Sequence, residues 1–186
     1  MSTPTQFDFA ESFERLAGVA HAVPTEEAAV QAIIDIFKSK NARCVALGGL
    51  PPSLVSAIEK GCDGMKVLKA PYAADGLPGA IDEADVGVTG IAFAIAQSGT
   101  LVETTADDAV RLVSSLPRTY IGVLHAEEIV DRFEEGAARI REIVQQHDGN
   151  LVISFISGPS RTGDIELKLT LGVHGPEEAH AVVIGG

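Results

Sequence analysis

Between Ile156 and Pro176 the chain reads ISGPSRTGDIELKLTLGVHGP, and its first half carries chemistry that a connecting loop does not require. Arg161 stands between the hydroxyls of Ser160 and Thr162, and the carboxylates of Asp164 and Glu166 follow. A guanidinium presents a rigid fork of donors that matches a carboxylate or a phosphate. Ser157 or Ser160 can cap a helix after the apolar run LVISFI, and the N–H groups of its first turn would then favour an anion. Asp164 and Glu166 can orient the arginine or act as acid and base. Two readings stay open: ligand binding, or an ion pair that pins the loop. A short helix after Ile156 is the preferred local structure. The alternation in DIELKLTLG supports a strand instead, with SGPSRTG as a turn.

Other residues carry weaker chemistry. Glu103 follows SGTLV at a strand end, where a carboxylate can be a nucleophile or a general base. An exposed surface glutamate is the plainer alternative. Ser98, Gly99 and Thr100 can bind an anion through backbone donors, or simply make a tight turn. His174 lies between Gly172 and Gly175 in GVHGP, where it can titrate near neutrality and face a site, or serve as an ordinary turn residue. Asp107 and Asp108 read as a capping pair or a solvated turn. No G-x-S-x-G, P-loop, G-x-G-x-x-G or metal-ligand spacing occurs.

These residues need a scaffold, and the chain alternates helical and strand patterns. FDFAESFERLAG (7–18) and VPTEEAAVQAIIDIFKSKN (23–41) have helical periodicity, giving an N-terminal helical segment over about 6–40. Thr25 supplies an N-cap for the second of these helices. CVALGG (44–49), MKVLKA (65–70), DVGVTG (85–90), LVET (101–104), TYIGVLH (119–125), LVISFIS (151–157) and AHAVVIGG (179–186) read as strands, those at 44–49 and 151–157 as buried ones. PPSLVSAIEKG is a short helix, GLPGAIDEA a loop and turn, and the alanine-rich IAFAIA helical or irregular. DDAVRLVSSLP is ambiguous between helix and strand. The stretch 126–149 reads as the longest helix. Strands joined by crossover helices imply a mainly parallel, layered α/β sheet in a single domain over 1–186. In open parallel sheets ligands collect outside the carboxyl ends of the strands. That rule places the 88–90 stretch with Thr89 and Gly90, the 97–103 stretch and the 156–166 stretch on one shared rim.

Composition narrows the function. Fourteen Lys and Arg against 26 Asp and Glu leave a formal charge of −12, which disfavours nucleic acid and anionic membrane surfaces. Aromatics are only 5% and tryptophan is absent, so the core must be aliphatic, as central parallel strands require. Cys44 and Cys62 form no C-x-x-C pair, so the expectation is no disulfide framework, metal or chain-borne iron–sulfur cluster. The first residues lack signal-peptide blocks and no run could span a bilayer, so the expectation is a cytoplasmic protein without membrane insertion.

GVTGIAFAIAQSGTLVE (87–103), SSLPRTYIGVLH (114–125) and ISGPSRTGDIELKLTLGVHGP (156–176) together resemble the lactate-utilisation (LUD) domain family. Gly163 departs from the family's usual alanine, which lowers helix propensity there by roughly 1 kcal/mol. The resemblance implies a fold similar to CoA transferases and ribose-5-phosphate isomerase, a Rossmann-type architecture. It also implies a part in oxidising L-lactate to pyruvate beside iron–sulfur partner proteins, with no cofactor in this chain. The signature positions it marks as ligand contacts are Thr89, Gly90, Ser98, Gly99, Thr100, Ser157, Gly158, Ser160, Arg161, Thr162, His174 and Gly175. Glu103, Asp164 and Glu166 are the candidate catalytic carboxylates. Three roles remain open: an accessory component that binds a small carboxylate or a partner, a stand-alone enzyme of the CoA-transferase or sugar-phosphate isomerase type, and a structural or regulatory subunit.

Overall fold

A computed structural model describes residues 6–163, 169–172 and 174–186. The chain opens with helix α1 (Phe9–Glu14), capped by the Asp8 carboxylate, which accepts from the Glu11 N–H at 2.9 Å. It continues as strand β1 (Val19–Val23) and helix α2 (Glu26–Ser39), for which Thr25 is the N-cap. The expected helical segment over 6–40 is therefore split by a strand. VAHAV has the branched and small residues of an edge strand, but it is too short to show a clear period.

Strand β2 (Cys44–Gly48), helix α3 (Pro52–Gly61), strand β3 (Lys66–Lys69), the short helix α4 (Gly79–Asp82) and strand β4 (Val86–Gly90) come next. Strands β5 (Phe93–Ile95) and β6 (Thr100–Thr105) are joined through a 3-10 turn at Ala96–Ser98. Helix α5 (Asp108–Ser115) resolves the ambiguous segment, and its Asp107 carboxylate accepts from the Ala109 N–H. Strand β7 (Thr119–His125) leads to the two-residue strand β8 (Ile129–Val130), helix α6 (Phe133–Gln146) and strand β9 (Val152–Ile156). A hairpin of β10 (Arg161–Gly163) and β11 (Leu169–Leu171) precedes the last strand, β12 (Glu178–Ile184).

Six strands form one parallel sheet in the order β1-β12-β7-β4-β2-β3. The mainly parallel architecture read from the sequence is the one observed, and the C-terminal strand is interior to it. On one face α2 and α3 bury Ile33, Phe37, Leu54 and Ile58 against Val45, Val88, Ile121 and Val182. On the other face α5 covers the β2 side through Ala109 and Val113.

The rest of that second face is covered by another sheet. Strands β8-β5-β6-β9 form it, with β6 antiparallel to both β5 and β9. Ala94 and Leu101 of this sheet pack with Phe9, Phe13, Tyr120, Ala179 and Ala181. Its outer face, Phe93, Ile95 and Val102, is covered by Ile140 and Ile143 of α6.

Two expectations change here. IAFAIA is a strand, because Phe93 and Ile95 point to α6 while Ala94 points to the main sheet, which is the alternation of a doubly covered strand. Strand β9 belongs to the smaller sheet, not the parallel one, and it is a partly exposed edge strand: Phe155 is 50% accessible. A continuous apolar run cannot by itself distinguish a central strand from such an edge.

The layers are held close by glycine. A methyl group at Gly87 would overlap the Val113 carbonyl of α5. Gly87→Ala should therefore lower stability by about 1–3 kcal/mol, the usual range for overpacking. Gly79→Ala, where nothing lies within 4 Å, should be near neutral. Thermal unfolding of both variants checks the contrast.

Candidate functional site

The Arg161 segment does not start a helix. Strand β10 pairs antiparallel with β11, Arg161 opposite Leu171 and Gly163 opposite Leu169. The preferred helical reading is thus corrected, and the alternative holds only in part. Leu169–Leu171 of DIELKLTLG is a strand, but Arg161–Gly163, which that reading left in a turn, is a strand as well, and 164–168 lie outside the described residues. Without a helix there is no dipole to attract an anion, and donors must come from side chains and irregular backbone.

Ser160 binds the two halves of the motif together. Its N–H donates to the Pro176 carbonyl at 2.8 Å, its carbonyl accepts from the Gly172 N–H at 3.0 Å, and its hydroxyl donates to the His174 carbonyl at 3.2 Å. Gly158, Gly172 and Gly175 have positive φ angles of 80°, 72° and 137°, conformations that other residues rarely adopt. Residues 157–161 therefore form one self-stitched unit with Gly172 and residues 174–176.

This unit borders a cleft of about 380 Å³ that is also lined by Ser114, Ser115, Tyr120 and Phe155. Six predicted contacts meet there: Ser157, Gly158, Ser160, Arg161, His174 and Gly175. The Arg161 side chain is exposed. Thr162 lies in β10, and Asp164 and Glu166 fall outside the described residues.

The remaining predicted residues sit behind this cleft or away from it. Thr100 Oγ1 lies 2.8 Å from Ser157 Oγ and 2.8 Å from Ser98 Oγ, a chain of hydroxyls leading back from the cleft wall. Gly99, at φ 58°, packs on the backbone of Ser12 and Phe13 in α1. Glu103 is 1% accessible, facing the parallel sheet, so the surface reading is excluded. Its Oε1 lies 3.1 Å from the hydroxyl of the cleft residue Ser114, while its Oε2 is buried with no hydrogen-bond partner. Thr89 Oγ1 is 2.8 Å from the fully buried Tyr120 hydroxyl.

Burial pushes the Glu103 carboxyl above the ordinary carboxylate range, against the opposing pull of the Thr89 and Ser114 hydroxyls. Burial likewise raises the Tyr120 phenol well above its usual value, and Glu103 adds to the effect. Ser114 and Tyr120 were not identified from sequence. Ser114 lay in a segment of undecided structure, and a tyrosine within a strand pattern gives no sign of a polar partner.

The shared carboxyl rim is also corrected. Strand β12 begins at Glu178 and β7 at Thr119, and the Glu177 N–H donates to the Arg118 carbonyl, so the Arg161 unit lies at the amino ends of the parallel strands. Gly90 lies at the carboxyl ends instead. It borders a separate cleft of about 360 Å³ with Gly49, Glu26, Thr104, His125 and Glu128. The hairpin reaches the amino edge because β9 runs antiparallel to β6, which returns the chain to the start of β12. Among the described residues no group of three or more His, Cys, Asp or Glu is placed to hold a metal ion, and no helix is long and apolar enough to cross a membrane.

A family model described as "LUD domain" matches residues 8–184. Among curated proteins, the lactate utilization protein C of Geobacillus sp. (strain WCH70) is 41% identical over 106 residues, 55% of this chain and 43% of that protein. The protein of the same name from Bacillus subtilis (strain 168) is 37% identical over 108 residues, again 55% and 43% of the two chains. The chain thus spans less than half the length of these curated relatives. A solved structure of a DUF162 family protein from Deinococcus radiodurans superposes with a TM-score of 0.67 at 23% identity, covering 95% of this chain and 94% of that one. That likeness extends over the whole fold.

The Glu103 carboxyl yields a prediction with a definite sign. A group whose folded pKa is raised contributes stability below its unfolded value, and that contribution is lost as pH rises through the folded value. Glu103→Gln removes this loss, so the variant should melt higher than wild type at pH 7–8 and lose the advantage near pH 4. Melting temperature against pH measures it.

Proposed function

The chain belongs to the LUD domain family, and from that premise we propose that it serves lactate utilisation by holding a small carboxylate in the cleft beside Arg161. The observation that carries this reading is the convergence of an exposed guanidinium with the Ser157 and Ser160 segment and the 174–176 turn around one opening. A planar, permanently charged fork is suited to a carboxylate in two-point contact, and neighbouring hydroxyls suit a 2-hydroxy or 2-oxo group. The name shared by the curated relatives, lactate utilization protein C, points to the same class of ligand. On this reading the chain binds, and electron transfer falls to iron–sulfur partner proteins.

A second reading, a stand-alone enzyme of the acyl-transfer or sugar-phosphate isomerisation type, draws on Glu103. A buried, raised carboxyl next to a cleft is a frequent mark of acid–base chemistry. Here, however, Glu103 reaches the opening only through Ser114, so a direct nucleophilic role requires the floor to open. The binding reading therefore has the better geometry.

Calorimetric titration of wild type and Arg161→Ala with lactate, pyruvate and inorganic phosphate tests the proposal. Loss of charge-assisted hydrogen bonds should weaken carboxylate binding about tenfold to hundredfold, with an unchanged melting temperature. Equal affinities with a lower melting temperature would instead make Arg161 a brace. Lactate oxidation by the chain alone, without added cofactor, would overturn the division of labour.

A further inference from the structure

We propose that His21 and His180 form an acid-sensitive latch holding the edge strand β1 on the parallel sheet. Strand β1 is bonded to β12 alone among the described strands, so that one ladder carries all of its strand pairing there. His21 Nε2 lies 3.1 Å from His180 Nδ1 across the ladder. The ring centroids are 5.3 Å apart and the planes 24° from parallel. That separation is close to what two rings give when they meet nitrogen to nitrogen along a common axis. The rings are therefore joined head to head, with room for one proton between them. A metal ion on that line would need about 4 Å between the nitrogens.

The network assigns the protons. His180 is 7% accessible, and its Nε2 has no hydrogen-bond partner within bonding range; Glu178 Oε2 lies 3.5 Å from it. A proton on His180 Nε2 points at Glu178, which leaves Nδ1 to accept from His21 Nε2–H. Glu178 is in turn paired with Lys40, the residue after α2. The charged groups around the pair are thus Glu178 from β12 and Lys40 from the α2 side. Helix α1 packs on the opposite face, where Ala20 lies and His21 does not.

Adding protons breaks this arrangement. A second proton would set two imidazolium rings at the 3.1 Å contact, and Lys40 already offsets the carboxylate that could relieve them. Burial, with His21 and Lys40, holds His180 down from 6.5 to about 4, and burial lowers His21 as well. Once β1 leaves, His180 is exposed and takes up protons at its ordinary value. Stability of the docked strand is therefore full above pH 6.5 and lost progressively as pH falls toward 4.

The latch bears on the cleft through α1, which immediately precedes β1. The α1 backbone packs on Gly99, and the Leu16 carbonyl packs on Gly158 of the cleft loop. Loosening β1 withdraws support from both contacts.

Hydrogen exchange of wild type, His180→Gln and His21→Gln at pH 7 and pH 5, corrected for intrinsic rates, tests the latch. In wild type the opening of residues 19–23 should rise about twentyfold between pH 7 and pH 5, from the His180 displacement of 6.5 to about 4. Residues 9–16 should follow, while the central strand β4 should not change. His180→Gln should abolish the rise. The less buried His21→Gln, which keeps a hydrogen-bonding side chain, should reduce it and decides the matter if His180→Gln does not fold. A wild-type response in β1 no larger than in β4, or a response unchanged in His21→Gln, would overturn the proposal.

Discussion

Gly122, Ala179 and Ala181 leave a shallow trough on one face of the parallel sheet, and Leu101 of the smaller sheet lies in it. A methyl group at Gly122 would overlap the Leu101 side chain and approach the Tyr120 hydroxyl to 3.0 Å. This close approach of two sheets is the constraint on which the rest of the molecule depends. It decides that strand β6 is covered on both faces, and hence that Glu103 is buried. It also decides where β9 runs, since β9 is paired to β6 alone among the described strands. The loop that follows β9 is delivered to the amino edge of the parallel strands as a result.

Burying a carboxyl between sheets has an energetic cost that hydroxyl partners only partly offset. The same region carries the Thr89–Tyr120 and Ser98–Thr100–Ser157 hydroxyl pairs, an unusual density of polar groups for the space between two layers. Such a network favours one exact docking of the small sheet, because a shift would leave more groups unpaired. The cleft beyond it inherits that rigidity. Its outer wall is different in kind: a glycine-rich unit held by three hydrogen bonds of Ser160, in which backbone geometry rather than packing sets the shape.

Electrostatics are organised locally within a chain of net charge −12. Exposed ion pairs such as Lys69–Glu59 at 2.6 Å are worth little in water. The groups that matter are those withdrawn from solvent, Glu103 between the sheets and His180 under the edge strand. Burial moves the two in opposite directions, up for the acid and down for the base, because in each case it disfavours the charged form.

Sequence by itself determined the alternating α/β order, the parallel sheet, the Thr25 and Asp107 helix caps and the family. Each of these rests on local periodicity, side-chain capping or contiguous motif residues. It also singled out Ser157, Gly158, Ser160, Arg161, His174 and Gly175, which the fold does bring around one opening. Only the tertiary structure decided that β6 and β9 belong to a second sheet, that IAFAIA contains a strand, that Arg161–Gly163 is a strand, and that the cleft lies at the amino rather than the carboxyl ends. The VAHAV edge strand and the inward turn of Glu103 belong with these. The reason is physical: strand pairing, and the face a residue presents, are set by partners distant in the chain, and a run of apolar residues has the same period whichever sheet it joins.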